Sequence, residues 1–165
     1  DLAVVRKSLY WFEPDCPFYF EEQGGVGFIY ETSIGNFYGF PQLNQLGVKV
    51  AEHTGGWPVT DPLTISQEED PRETDRVLNF LGEYLPGVSN RKQHFATCLY
   101  TLSPDRRFIV DRHPEYPQVS FAAGLSGHGY KFASVLGEVL TDWALTGTTN
   151  LPVQFLNLNR PGLMK

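Results

Sequence analysis

Basic residues are scarce in this sequence: 13 Lys and Arg stand against 19 Asp and Glu, a net charge of −6. That balance opposes the phosphate backbone of nucleic acids and anionic membrane surfaces, so neither a nucleic-acid nor a membrane partner is expected. Cysteine is scarcer still. Cys16 and Cys98 lie far apart and make no disulfide framework, and no Cys/His cluster has zinc-site spacing, so no metal is expected. The sequence has no hydrophobic run long enough to cross a bilayer, no signal-peptide pattern, no internal repeat and no long charge run. It also lacks a His-Glu-x-x-His motif and a nucleophile elbow, which leaves hydrolase chemistry little support. A reducing cytoplasm is the expected compartment. The chain opens on Asp1 and moves at once into the strand-like run Leu2-Ala3-Val4-Val5, and it is expected to be part of something longer.

What is present is the composition of a soluble globular protein, 41% hydrophobic and 14% aromatic among 165 residues, enough for one domain or one domain plus part of another. Short β-type runs at Val4–Phe12, Gly27–Glu31, Phe37–Phe40 and Gly47–His53 are separated by Gly, Pro and Asn, as antiparallel strands are. Ser33-Ile34-Gly35-Asn36 predicts a hairpin turn. Residues 54–71 read as an exposed loop, and Asp70-Pro71 as the N-cap and first residue of a helix carrying Val77, Leu78, Leu81, Tyr84 and Leu85 to Pro86-Gly87. Strands follow at His94–Leu102, Arg107–Asp111 and Val119–Ala123. The last element is a helix of about five turns, by the spacing of Phe132, Val135, Leu136, Val139, Leu140, Trp143 and Ala144.

Three places could carry chemistry. Gly124-Leu125-Ser126-Gly127-His128-Gly129 precedes the last helix, whose N-terminus offers unpaired N–H groups and positive potential to an anion or a cofactor edge. The same glycines would equally serve tight strand–helix packing, the commoner use of such a motif. Lys131, one turn into that helix, opposes the helix dipole and asks for an anion such as a substrate carboxylate; reaching into solvent is the alternative. In Val48-Lys49-Val50-Ala51-Glu52-His53, strand alternation puts Lys49, Ala51 and His53 on one face, either solvated or lining a cavity with one fixed cation and one imidazole. Cys98, by itself, reads as a small buried hydrophobe.

The order of the motifs adds a further argument. Asn36-Phe37-Tyr38-Gly39-Phe40-Pro41, Lys49 to Gly56, Thr97-Cys98-Leu99-Tyr100-Thr101, Ser103-Pro104-Asp105, Phe108-Ile109-Val110-Asp111 and Gly124 to Ser134 follow one another along nearly the whole chain. Together they resemble the carboxy-terminal part of the monomeric sarcosine oxidase and N-methyltryptophan oxidase family, FAD-dependent oxidases of N-methyl amino acids. The resemblance implies an α+β fold on an antiparallel or mixed sheet, with a substrate-binding portion over residues 1–103 and a segment completing an FAD domain over 104–165. It implies FAD joined covalently through Cys98, and oxygen activation at Lys49. The implied substrate pocket is shaped by Tyr38, His53, Tyr100 and Gly127, with Lys131 on the carboxylate and Gly124, Ser126, Gly127, His128, Gly129 and Lys131 beside the cofactor. Lys49 and His53 are the implied catalytic pair. The implied reaction takes a secondary-amine amino acid to an imine, which hydrolyses to the demethylated amino acid and formaldehyde, while O2 becomes hydrogen peroxide. The family's amino-terminal Gly-x-Gly-x-x-Gly turn for the ADP part of FAD is absent from these 165 residues. The chain alone is therefore expected to lack flavin and turnover, and to expose apolar surface that its missing amino-terminal half would cover. Two alternatives stay open: a related FAD-dependent amino-acid dehydrogenase, and a ligand-binding module without flavin.

Overall fold

Ala3–Pro14 runs in blocks, apolar Ala3 to Val5, polar Arg6 to Ser8 and apolar Leu9 to Phe12, rich in the Val and aromatic side chains that favour strands, and in the computed structural model, which describes residues 1–163, it forms the long first strand, β1. Strands β2 (Phe28–Thr32) and β3 (Gly35–Phe40) follow as a hairpin whose end pair is Thr32 with Gly35, leaving Ser33 and Ile34 as the turn. Gly35 takes a positive φ there, as expected for this turn. After β4 (Val48–Glu52), the segment anticipated as loop holds a two-residue strand, β5 (Trp57–Pro58), and a single 3₁₀ turn at Pro62–Thr64. Helix α1 (Pro71–Tyr84) starts as the sequence predicts: the Asp70 carboxylate accepts the Arg72 N–H at 2.8 Å, and Pro71 needs no donor partner. Strand β6 (Val88–Leu102) begins six residues earlier than the sequence pattern indicates. The six strands make one sheet in the order β2-β3-β4-β1-β5, with β6 also paired to β1.

The chain divides into two compact units, Arg6–Leu99 and a second made of Asp1–Val5 with the residues from Tyr100 on. In the first, α1 covers one face of the sheet. Tyr10, Phe12, Phe37, Val48 and Val50 point to it and close on Val77, Phe80 and Leu81, with the Phe37 and Phe80 rings stacked 4.3 Å apart. Glu52 and Arg76 tie β4 to α1 by two hydrogen bonds at 2.8 and 2.7 Å. Arg6, 6% exposed, holds the loop ahead of α1 through the carbonyls of Ser66 and Glu68 and pairs with Glu73 at 3.0 Å.

In the second unit, β7 (Ile109–Arg112) and β8 (Ser120–Ala123) form an antiparallel pair. Helix α2 (Ala133–Thr146) follows a 3₁₀ turn at Tyr130–Phe132, so it runs about four turns and Lys131 precedes it rather than lying one turn inside. Phe108, Val110, Leu136, Val139, Val153 and Leu156 make the core. Arg160 is buried, and its guanidinium grips Asp105 at 2.7 and 2.9 Å while also donating to the carbonyls of Leu156, Asn157 and Arg107. The Asp105 carboxyl is thereby held well below the usual carboxylate range. Because its folded pKa is depressed, the pair's contribution is complete above the ordinary carboxylate range, begins to fall within it and is gone only once pH has fallen through the depressed folded value. Asp105→Asn, which strands the buried guanidinium, is expected to destabilise the full-length protein by about 3 kcal/mol at pH 7. In urea titrations the gap between variant and parent should shrink below about pH 4; a gap independent of pH would contradict the ion-pair account.

The fold class is α+β on a mixed, largely antiparallel sheet with two helices, as the sequence predicts. Among the described residues no helix is long and apolar enough to cross a membrane.

Candidate active-site residues in the two units

Alternation along β4 sends Val48 and Val50 into the core against α1 and turns Lys49 and Ala51 to the opposite face. The cross-strand register then fixes what surrounds Lys49. Trp11 pairs with it from β1 and Phe40 from β3, while Tyr38 pairs with Ala51. The Lys49 ammonium sits 5.4 Å from the Trp11 ring centre, 5.8 Å from Phe40 and 5.9 Å from Tyr38. Three ring faces around one cation contribute about 0.5–1 kcal/mol each at half-exposed sites. None of the ion pairs among the described residues involves Lys49.

Trp11 is braced by His94 of β6, ring to ring at 5.0 Å. One residue further, Phe95 packs on Tyr10, on the α1 side. Counting on by twos from His94 puts Cys98 on the open face with Trp11 and Lys49. Its thiol is half-buried; burial pushes its pKa up, and the charges of Lys49 and Lys7 pull it back. His53 follows β4, its N–H donating to the Asn36 carbonyl at 2.6 Å and its ring edge-on to Tyr38 at 6.4 Å. Four residues the sequence singles out, Tyr38, Lys49, His53 and Cys98, thus share one face of one sheet, and that face carries a fixed cation, an imidazole, a phenol and a thiol. Trp11 and Phe40 were missed. Their signal was the register, which a single sequence does not give.

In the second unit the glycine loop is tied down from within. Leu102 and Leu125 form an antiparallel bridge, the Ser126 N–H donates to the Thr101 carbonyl at 2.9 Å, and the His128 N–H donates to the Leu125 carbonyl at 3.1 Å. Ser126 is buried with φ +50°, its hydroxyl donating to the Gly124 carbonyl at 2.9 Å. Gly127, at φ +80°, lies against the Tyr100 ring so closely that a Cβ would come within 2.1 Å of it, and a Cβ on Gly129 would meet Leu125 at 2.7 Å. Packing therefore accounts for two of the glycines, and in-chain bonds use the Ser126 and His128 donors. What remains for a ligand is Lys131, exposed just before α2; no side chain caps that helix, but the 3₁₀ turn ahead of it takes up the Phe132 N–H on the Gly129 carbonyl at 2.9 Å and the Ala133 N–H on the Tyr130 carbonyl. The His128 ring packs on Phe108 at 4.7 Å, and an open groove of about 550 Å³ runs past Phe108, His128, Lys131, Val135 and Phe155. In the first unit, a half-buried thiol beside two cations fits an FAD; in the second, the glycine loop's backbone fits it less, since two of its donors already have acceptors.

The FAD dependent oxidoreductase family model matches residues 12–143. The chain belongs to that family. It is 41% identical over 164 residues to the monomeric sarcosine oxidase of Bacillus sp. (strain B-0618), covering 98% of this chain and 42% of that protein. It is 35% identical over 162 residues to the N-methyl-L-tryptophan oxidase of Salmonella enteritidis PT4 (strain P125109), covering 94% of this chain and again 42% of the relative. Among solved structures, NikD, an unusual amino acid oxidase essential for nikkomycin biosynthesis, superposes with a TM-score of 0.72 at 20% identity, over 94% of this chain and 42% of NikD. The chain thus spans about two fifths of the length of these relatives.

Proposed function

We propose that this chain is the carboxy-terminal part of an FAD-dependent amine oxidase, supplying the substrate-binding portion (residues 1–103) and a segment that completes the FAD domain (104–165). The observation that carries the proposal is the cation of Lys49, held by Trp11, Tyr38 and Phe40 on the same sheet face as the thiol of Cys98. The sarcosine and N-methyltryptophan oxidases among its relatives support an N-methyl amino acid as substrate. FAD, when bound, supplies the two-electron redox chemistry that no side chain here can supply.

The residues supply position and charge. Cys98 would hold FAD through a thioether, formed as the thiol proton and one hydrogen of a flavin methyl group leave with two electrons that O2 takes up as hydrogen peroxide; burial opposes the thiolate this needs, and the neighbouring lysine charges favour it. Lys49 stabilises negative charge as it develops on O2, acting from a fixed position that needs no reorganisation. Tyr38, His53, Tyr100 and Gly127 shape the space for the amine, and Lys131 receives the carboxylate. Gly124, Ser126, His128 and Gly129 hold the loop that leads to α2. Oxidation of the substrate C–N bond gives an imine whose hydrolysis yields the primary amino acid and formaldehyde, with O2 leaving as hydrogen peroxide. The Lys49 cation disfavours a protonated amine, so kcat/KM is expected to rise with pH.

The test is peroxide release by the full-length protein with sarcosine and with N-methyl-L-tryptophan across pH. Turnover of either, with kcat/KM rising toward alkaline pH, is the expected result; the 165-residue chain mixed with FAD should give no catalytic peroxide. A full-length protein that reduces a dye with these substrates but not O2 would make it a dehydrogenase, and a flat pH profile would remove the amine-deprotonation step.

A further inference from the structure

Lys7 is 2% exposed, and nothing in the motif pattern singles it out. It lies on β1, where Arg6, Ser8, Tyr10 and Phe12 turn toward α1 and its loop, so Lys7, Leu9 and Trp11 share the face that carries Lys49. The pairs Leu9 with Ala51 and Trp11 with Lys49, continued by two residues, bring Lys7 opposite His53. Its ammonium does not stop there. It reaches on to donate to the carbonyls of Thr54 at 2.6 Å and Gly55 at 2.9 Å, the two residues after His53.

The segment it holds is the tight turn between β4 and β5, both paired to β1, and inside it Thr54 Oγ1 donates to Glu52 Oε1 at 2.8 Å. Gly55 and Gly56 both have positive φ, and a Cβ on Gly56 would lie 2.8 Å from Lys7 Cδ, so the chain folds directly over the lysine stem. On its other side the segment is fastened to β3: the His53 N–H donates to the Asn36 carbonyl, and the Asn36 N–H donates to Thr54 Oγ1 at 3.0 Å. His53 is therefore fixed from β3 before it and from β1 after it. Burying an ammonium is costly, and charge-assisted bonds to two carbonyls offset that cost.

We propose that Lys7 is a positioning residue of the amine-oxidising site, its buried ammonium strapping the Thr54–Gly55 backbone to β1 and so setting the direction of the His53 imidazole. The proposal rests on the function proposed above. The Lys7 charge also reaches Cys98, which it helps to favour as thiolate, so the strap and the thiol belong to one electrostatic neighbourhood.

The test uses the full-length flavoenzyme with Lys7→Met, which keeps the stem and removes the charge, and Lys7→Gln, which keeps one donor. Leu85→Ala, emptying a core position far from this face, is the control for destabilisation alone. Hydrogen exchange over residues 53–57 is expected to quicken at least about tenfold in Lys7→Met. kcat/KM for sarcosine or N-methyl-L-tryptophan should fall about 10–100-fold, mainly through KM, the scale of a small misplacement in a site. Lys7→Gln should lie between parent and Lys7→Met, and serves alone if Lys7→Met does not fold. Leu85→Ala should melt earlier with KM unchanged. Unchanged exchange over 53–57 would overturn the strap whether or not the parent oxidises amines. Faster exchange with unchanged KM would overturn its coupling to the site. A parent inactive on both substrates would overturn the oxidase proposal, a result separable from the exchange data.

Discussion

Cys98→Ser in the full-length flavoenzyme is expected to yield protein whose yellow colour leaves with the supernatant on acid precipitation, and whose amine oxidation falls at least about 100-fold. Cys98 is the thiol that strand alternation places on the open face beside Lys49, and serine cannot replace it, because an alkoxide is far harder to generate than a thiolate. Half-burial raises the thiol pKa while Lys49 and Lys7 oppose the rise, so attachment should also quicken with pH. The rate loss follows from position: a cofactor free to shift by an ångström loses alignment with the amine, which costs on the order of a hundredfold. Colour that stays with the precipitated variant would show attachment elsewhere, and full activity without attachment would reduce Cys98 to a packing residue.

Lys49→Met is expected to slow reoxidation by O2 by about 100–1,000-fold, the scale seen when one preorganised charge is removed from a site. Anaerobic bleaching of the flavin by sarcosine or N-methyl-L-tryptophan should change far less, because that half of the cycle develops no charge on oxygen. Stopped-flow absorbance separates the two halves. The aromatic cage sharpens the expectation: Trp11, Tyr38 and Phe40 would accommodate the methionine stem with little loss of packing, leaving the absent charge as the main difference. Equal slowing of both half-reactions would instead assign Lys49 to holding the pocket together.

The local signals were legible in the sequence. Asp70-Pro71 specifies a helix start by side-chain chemistry within two residues, the Ser33–Ile34 turn needs only glycine's freedom at Gly35, and the alternation of Val48 to His53 separates a core face from a polar one. Bonds that span the chain were not. Arg160 finds Asp105 across 55 residues and Lys7 finds Thr54 across 47, and neither separation leaves a trace in periodicity. The early start of β6 was hidden because Ser89 to Lys92 are polar, Asn90 to Lys92 exposed, and the stretch has no apolar alternation. The glycine loop shows a third case. Its pattern announced small residues, yet whether they make room for a ligand or for Tyr100 and Leu125 depends on what lies across from each Cα.

Peptide mass spectrometry on the full-length protein, purified with ample flavin and digested with trypsin after denaturation, tests the central claim most directly. The peptide from Gln93 to Arg106, which contains Cys98, is expected to carry the mass of FAD and its visible absorbance. A free thiol on that peptide, in protein otherwise saturated with flavin, would contradict the covalent account and favour a module that binds its ligand without that anchor.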